Sequence, residues 1–137
     1  MGASAPNIAF LDAEGRSRNL EEWRGRFILL TFFSRTCKVC AREVPKLQEF
    51  AAKRAPDGVV LPVESTSASA GEVAAFASTY NVSMPLFHDP TWKAPEAYLV
   101  KRVPQVYIIA PDFTVLEDVV GEASLDFYNI RFKRFFP

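Results

Sequence analysis

The sequence predicts an α/β domain built on a central mixed β-sheet with helices on both faces. Three observations carry this. Apolar runs of strand length alternate with segments of helical periodicity through the first hundred residues. Two later apolar runs are separated by only Pro111-Asp112-Phe113-Thr114, a connection that forces an antiparallel pair. The chain has 137 residues, 49% hydrophobic, which suits one domain spanning 1–137 with a substantial core.

The elements follow in order. Ile8, Phe10 and Leu11 precede the turn Asp12-Ala13-Glu14-Gly15, so residues 7–19 read as a short hairpin. Asn19 and Glu22 form a capping-box pattern for one helical turn, which Gly25 ends. The run from Phe27 to Phe33 is continuously apolar apart from Thr31, as in a strand covered on both faces. From Thr36, read as an N-cap, the period changes. Cys40, Val44, Leu47 and Ala51 fall on one face of a helix reaching Lys53, with Pro45 inside it. Asp57-Gly58 reads as a turn and Val59–Val63 as a second buried strand. Ser69 and Glu72 cap a helix whose Val73, Phe76, Ala77 and Tyr80 share a face. Residues 81–95 read as a loop, with His88 in a surface or turn role, and 96–100 as a short helix. Strands at Val106–Ile109 and Val115–Val120 follow, then a helix over 125–135 that ends before Pro137.

Composition excludes several functions. Sixteen basic and sixteen acidic residues cancel, which argues against a nucleic-acid binder that must track phosphates. Twelve Phe and two Trp read as core, because basic residues do not interleave with them. No stretch approaches the roughly 20 apolar residues of a membrane span. The start, Met-Gly-Ala-Ser-Ala-Pro, has neither a basic nor an apolar leader region. This is consistent with a cytoplasmic protein or with a leader lying outside the sequence.

The chemistry is expected at Cys37-Lys38-Val39-Cys40, where a buried strand hands over to a helix. Free N–H groups and the macrodipole at a helix N-terminus favour a thiolate, and comparable motifs lower a thiol pKa to about 3.5–7.5. Lys38 and Arg35 add positive charge beside the sulfur. Cys37, nearer the helix end, is the expected nucleophile. Cys40, one turn inward, is the expected resolving thiol. Two cysteines and one distant His88 do not complete a one-chain tetrahedral zinc site, so no metal is assigned. A metal site completed by carboxylates or a second chain, including a copper- or zinc-handling role, stays open, as does an inert buried pair.

The chain resembles the TlpA/ResA branch of the thioredoxin superfamily, within the wider AhpC/TSA and redoxin group, over nearly its whole length. Ala5-Pro6-Asn7-Ile8-Ala9-Phe10 is similar to that branch's opening Ala-Pro-Asp-Phe. Leu20 to Arg26 resembles its lead into the central strand. Cys37-x-x-Cys40-x-x-Glu43-x-Pro45-x-Leu47 matches its active-site helix. Arg102-Val103-Pro104-Gln105-Val106-Tyr107-Ile108-Ile109 resembles its segment around a cis proline. The resemblance implies a thioredoxin fold with an N-terminal hairpin extension and a thiol–disulfide oxidoreductase acting in cell redox homeostasis. It implies a cis Val103–Pro104 bond facing the cysteines, with Val103, Pro104 and Arg102 binding substrate. Lys38, Thr36 and Glu43 would be supporting residues, Glu43 as a solvated helix position or a proton-handling group. The redox-active disulfide would serve in place of a cofactor. Partners would be protein thiols or disulfides and an upstream redox donor or acceptor. The protein would be a monomer working outside the cytoplasm with its leader removed. The departures are Thr36 and Phe33 where the family has aromatic Trp, Lys38-Val39 in place of a proline-rich dipeptide, and Arg102 in place of Gly. Thr31 stands where thioredoxins proper keep a buried acid. A peroxiredoxin is the enzymatic rival, but its Pro-x-x-x-Thr/Ser-x-x-Cys pattern meets Leu30 instead of proline ahead of Cys37. A redox-inactive interaction module is the remaining alternative.

Overall fold

The computed structural model describes residues 2–53, 58–66, 68–133 and 135. Hairpin strands β1 (Ala9–Leu11) and β2 (Ser17–Asn19) are joined by a turn in which Gly15 takes φ +77°, a conformation costly for other residues. The Asn19–Glu22 capping box is present, and it starts a single 3₁₀ turn, Leu20–Trp23.

The core strand β3 (Phe27–Phe33) pairs in parallel with β4 (Gly58–Glu64) and antiparallel with β6 (Gln105–Ile109). Antiparallel β7 (Val115–Val120) follows β6 after the expected tight turn. The sheet order is β2-β1-β5-β4-β3-β6-β7, so β3 lies inside the sheet and is buried on both faces, as its unbroken apolar run requires. One face carries Ile28, Leu30 and Phe32 against Phe10, Tyr98 and Tyr107. The other packs Leu29, Val106 and Ile108 under α1 (Lys38–Ala52) and α4 (Leu125–Phe132). Phe33, Cys40 and Val44 meet α2 (Ala70–Thr79) in a third cluster, with Val73 and Phe76 as its anchors.

Five expectations are corrected. The 81–95 loop contains a strand, β5 (Phe87–His88), clamped between Glu64 of β4 and Leu11 of β1. His88 is therefore buried rather than at the surface. The short helix α3 spans Lys93–Ala97 instead of 96–100, because Asp89 Oδ2 accepts the Ala94 N–H at 2.8 Å and starts it early. Pro95 fits there because a first-turn residue needs no N–H partner within the helix. Tyr80 caps the end of α2 and is 40% exposed, off the buried face. The last helix stops at Phe132. The expected turn at Asp57 and the stop at Pro137 lie outside the described residues.

Candidate active site

β3 delivers the chain to one end of the sheet, where Ser34-Arg35-Thr36 turns it into α1. Cys37, and not Thr36, is the N-cap. Its backbone is extended (φ −86°, ψ 120°) and its sulfur accepts the Cys40 backbone N–H at 3.2 Å. Thr36 is exposed and its hydroxyl lies 3.0 Å from Ser34 Oγ. The turn closes through Cys37 N–H to the Ser34 carbonyl, 3.1 Å. In the capping position the Cys37 sulfur has a helix-end N–H donor pointed at it.

The two thiols are unbonded and differ in setting. Cys37 is partly exposed and Cys40 is fully buried. Burial pushes the Cys40 thiol well up from its ordinary range, and the neighbouring Cys37 and Glu43 push the same way. The Ser34 backbone N–H, bonded to the Cys40 sulfur, opposes this. Lys38 is exposed beside the pair. Arg35 turns its guanidinium to Glu72, Nη2 to Oε2 2.7 Å, so its charge is shared with α2 rather than given wholly to the thiol.

The strand order brings the N-terminal end of β6 to the same end of the sheet. The Val103–Pro104 peptide bond is cis, as the resemblance implied. The Cys37 thiol lies 4.0 Å from the Val103 carbonyl oxygen. Val103 is half-buried, and its N–H has no hydrogen-bond partner among the described residues. Arg102 is exposed and Pro104 buried. Thr31, where an acid would stand in thioredoxins proper, is buried and bonds the Gln105 carbonyl at 3.2 Å.

Glu43 is not solvated. It is fully buried one turn beyond Cys40, and burial raises its carboxyl above the usual range. Tyr128 Oη donates to Glu43 Oε2, Lys46 Nζ lies 3.4 Å from Oε1, and the Ala123 N–H donates to Oε2 at 3.4 Å. These donors work against the burial effect without cancelling it. Burial also drives the Tyr128 hydroxyl up, and the adjoining carboxylate adds to the shift.

A second buried carboxylate was not singled out from the sequence. Glu64, at the end of β4, is fully buried beside Phe33. Oε2 accepts the Arg35 backbone N–H at 2.8 Å, and Oε1 accepts the Thr66 N–H at 2.7 Å. The Thr66 hydroxyl lies 2.9 and 2.7 Å from the two oxygens. Glu64 thus pins the turn two residues before Cys37. Its only sequence signal is an acid ending an apolar strand.

Among the described residues no group of three or more His, Cys, Asp and Glu side chains is arranged to hold a metal ion. Among the described residues no helix is long and apolar enough to cross a membrane.

Comparison with known proteins agrees with this geometry. The thiol–disulfide oxidoreductase ResA of Bacillus cereus is 29% identical over 124 residues, covering 90% of this chain and 72% of that protein. A secreted disulfide oxidoreductase of Mycobacterium tuberculosis superposes with a TM-score of 0.81 at 22% identity, over 93% of this chain and 95% of that one. The exposed lipoprotein thioredoxin Etrx1 of Streptococcus pneumoniae gives 0.81 at 22% identity, over 94% and 99%. The fold is that of thioredoxin. The AhpC/TSA family model matches residues 1–118, and the chain belongs to that family.

Proposed function

We propose that the protein exchanges electrons between its Cys37–Cys40 pair and disulfides or thiols of partner proteins. The observation that carries this is the sulfur of Cys37, half-exposed, capped by the Cys40 N–H and 4.0 Å from the Val103 carbonyl. Acting as reductant, Cys37 thiolate attacks one sulfur of a substrate disulfide, forms a mixed disulfide and expels the other sulfur as thiolate. Cys40 then loses its proton and attacks Cys37 Sγ. The Cys37–Cys40 disulfide forms and the second substrate thiol leaves. Run backwards, the same steps oxidise a dithiol, and the potential of the pair against glutathione sets the direction.

Burial holds Cys40 protonated until it is needed. Glu43, on the next turn with its own carboxyl raised, is the group we assign to take that proton. The unpaired N–H of Val103, and its carbonyl 4.0 Å from the Cys37 sulfur, are suited to pair with an extended substrate segment beside the thiols. Lys38 supplies positive charge at the thiolate. The electrons reside in the cysteine pair, so this reading assigns no cofactor. We place the activity outside the cytoplasm, a reading supported by the secreted and surface-exposed character stated for the two structural neighbours.

The test is insulin reduction in the presence of dithiothreitol. Cys37→Ser abolishes it, and Cys40→Ser accumulates a mixed disulfide with substrate. Unchanged turnover in Cys37→Ser contradicts the proposal. Rapid peroxide consumption without a protein disulfide substrate would instead favour the peroxiredoxin reading.

A further inference from the structure

A groove of about 490 Å³ has Arg102 and Gln105, on either side of Val103–Pro104, among its lining residues, and neither cysteine lines it. Leu99, Lys101, Asp118 and Val120 complete most of the lining. Its rim is apolar without being buried. Leu99 is 79% exposed and Val120 48%, two of the few large hydrophobic side chains that the described residues leave to solvent. Leu99 also sits at φ +56°, a left-handed conformation that an ordinary side chain disfavours. Folding gains nothing from holding a leucine there in water.

The charge around the groove is equally uneven. Lys101 and Arg102 are exposed and, with Lys38 beside Cys37, have no ion-pair partner among the described residues. Arg16, Arg18, Arg24, Arg35, Arg42, Lys46 and Arg131 each have one, while Lys53, Lys93 and Lys133 also lack an ion-pair partner among the described residues. The chain as a whole carries no net charge. Two of these unpaired cations, Lys101 and Arg102, line the groove itself. The acid at the groove, Asp118, is engaged by Gln105 Nε2 at 3.3 Å.

We propose that this groove is a specificity subsite for the substrate polypeptide, accepting a large aliphatic side chain near the substrate cysteine in a segment that carries carboxylates. The subsite continues the Val103 edge, so it rests on the exchange reading above. An extended chain paired at Val103 carries its neighbouring side chains past Arg102 toward Leu99 and Val120. There an aliphatic group covers exposed apolar surface, and acids meet Lys101 and Arg102.

Single-turnover reduction by the prereduced protein tests this. The substrates are disulfide-linked dimers of three synthetic peptides that differ only around their one cysteine: Leu with Asp, Ser with Asp, and Leu with Lys. Each turnover breaks one peptide S–S bond, converts Cys37 and Cys40 to their disulfide and releases two peptide thiols. At low ionic strength the Leu–Asp peptide should react about tenfold faster than the Leu–Lys peptide, with the gap closing at high salt. It should also outpace the Ser–Asp peptide. Lys101→Glu combined with Arg102→Glu should reverse the order of the two charged peptides, and Leu99→Asp should erase the advantage of Leu over Ser. Equal rates within twofold for all three peptides in the unmodified protein overturn the subsite and leave the exchange reading standing. A faster Leu–Lys peptide overturns it too. If no peptide disulfide is reduced, the exchange reading itself fails.

Discussion

Glu43 and Glu64 are both fully buried, and both stand close to the cysteine pair, yet their surroundings assign them different work. Glu64 is surrounded by donors from two turns, the Arg35 N–H from one and the Thr66 N–H and hydroxyl from the other. All its capacity is spent on holding the turn before Cys37. Glu43 is approached by one strong donor, Tyr128, and by Lys46 and Ala123 at 3.4 Å. Its carboxyl rises because that support does not match the loss of water. A buried acid becomes a fixed pin or a proton-handling group according to how many donors meet it.

Substitutions can break this contrast. Glu64→Ala leaves two part-buried N–H donors and a hydroxyl without their acceptor and should lower stability by about 2 kcal/mol, read from urea denaturation. Glu64→Gln should recover little of it, because its amide must turn N–H groups toward one of the same donors. A recovery close to the unmodified protein would show that Glu64 is not a pin. Glu43→Gln, by contrast, should slow release of the mixed disulfide by at least about tenfold at neutral pH, leaving the first attack by Cys37 unchanged. Equal slowing of both steps would make Glu43 structural.

The pH dependence sharpens the same distinction. A carboxyl raised in the folded state binds more protons there than in the unfolded chain. Its contribution is fully present below the unfolded value of about 4.3 and is lost as pH rises through the folded value. The stability difference between the unmodified protein and Glu43→Gln should therefore shift against the unmodified protein as pH rises from about 4 toward neutrality. A difference that does not change with pH would contradict the raised carboxyl. The smallest expected effect is that of Tyr128→Phe, which removes one donor to Glu43. Stability should fall by about 1 kcal/mol, and that stability difference should show a steeper pH dependence.

Most of the scaffold was legible in the sequence, for physical reasons that can be named. The unbroken run Phe27–Phe33 could only be a strand covered on both faces, and the two capping boxes fixed where helical turns begin. The spacing of Cys37 and Cys40 after that strand marked the candidate site, and the resemblance around Pro104 implied the cis bond that the structure has. The rest depended on contacts between residues far apart in the chain. The two-residue strand at His88 exists because Glu64 and Leu11 flank it, and nothing local distinguishes it from a turn. Thr36 looks the better cap by residue type, but the turn places the Cys37 sulfur on the Cys40 N–H. The environment of Glu43 is set by Tyr128, 85 residues away. Glu64 finds its Arg35 donor 29 residues back.

The central claim is a division of labour between an accessible capping sulfur and a buried one. Its most direct test is timed alkylation of the reduced protein with iodoacetamide at neutral pH, with each cysteine quantified by peptide mass spectrometry. Cys37 should be labelled almost completely before Cys40 reacts. Equal labelling of the two, or earlier labelling of Cys40, would contradict the account.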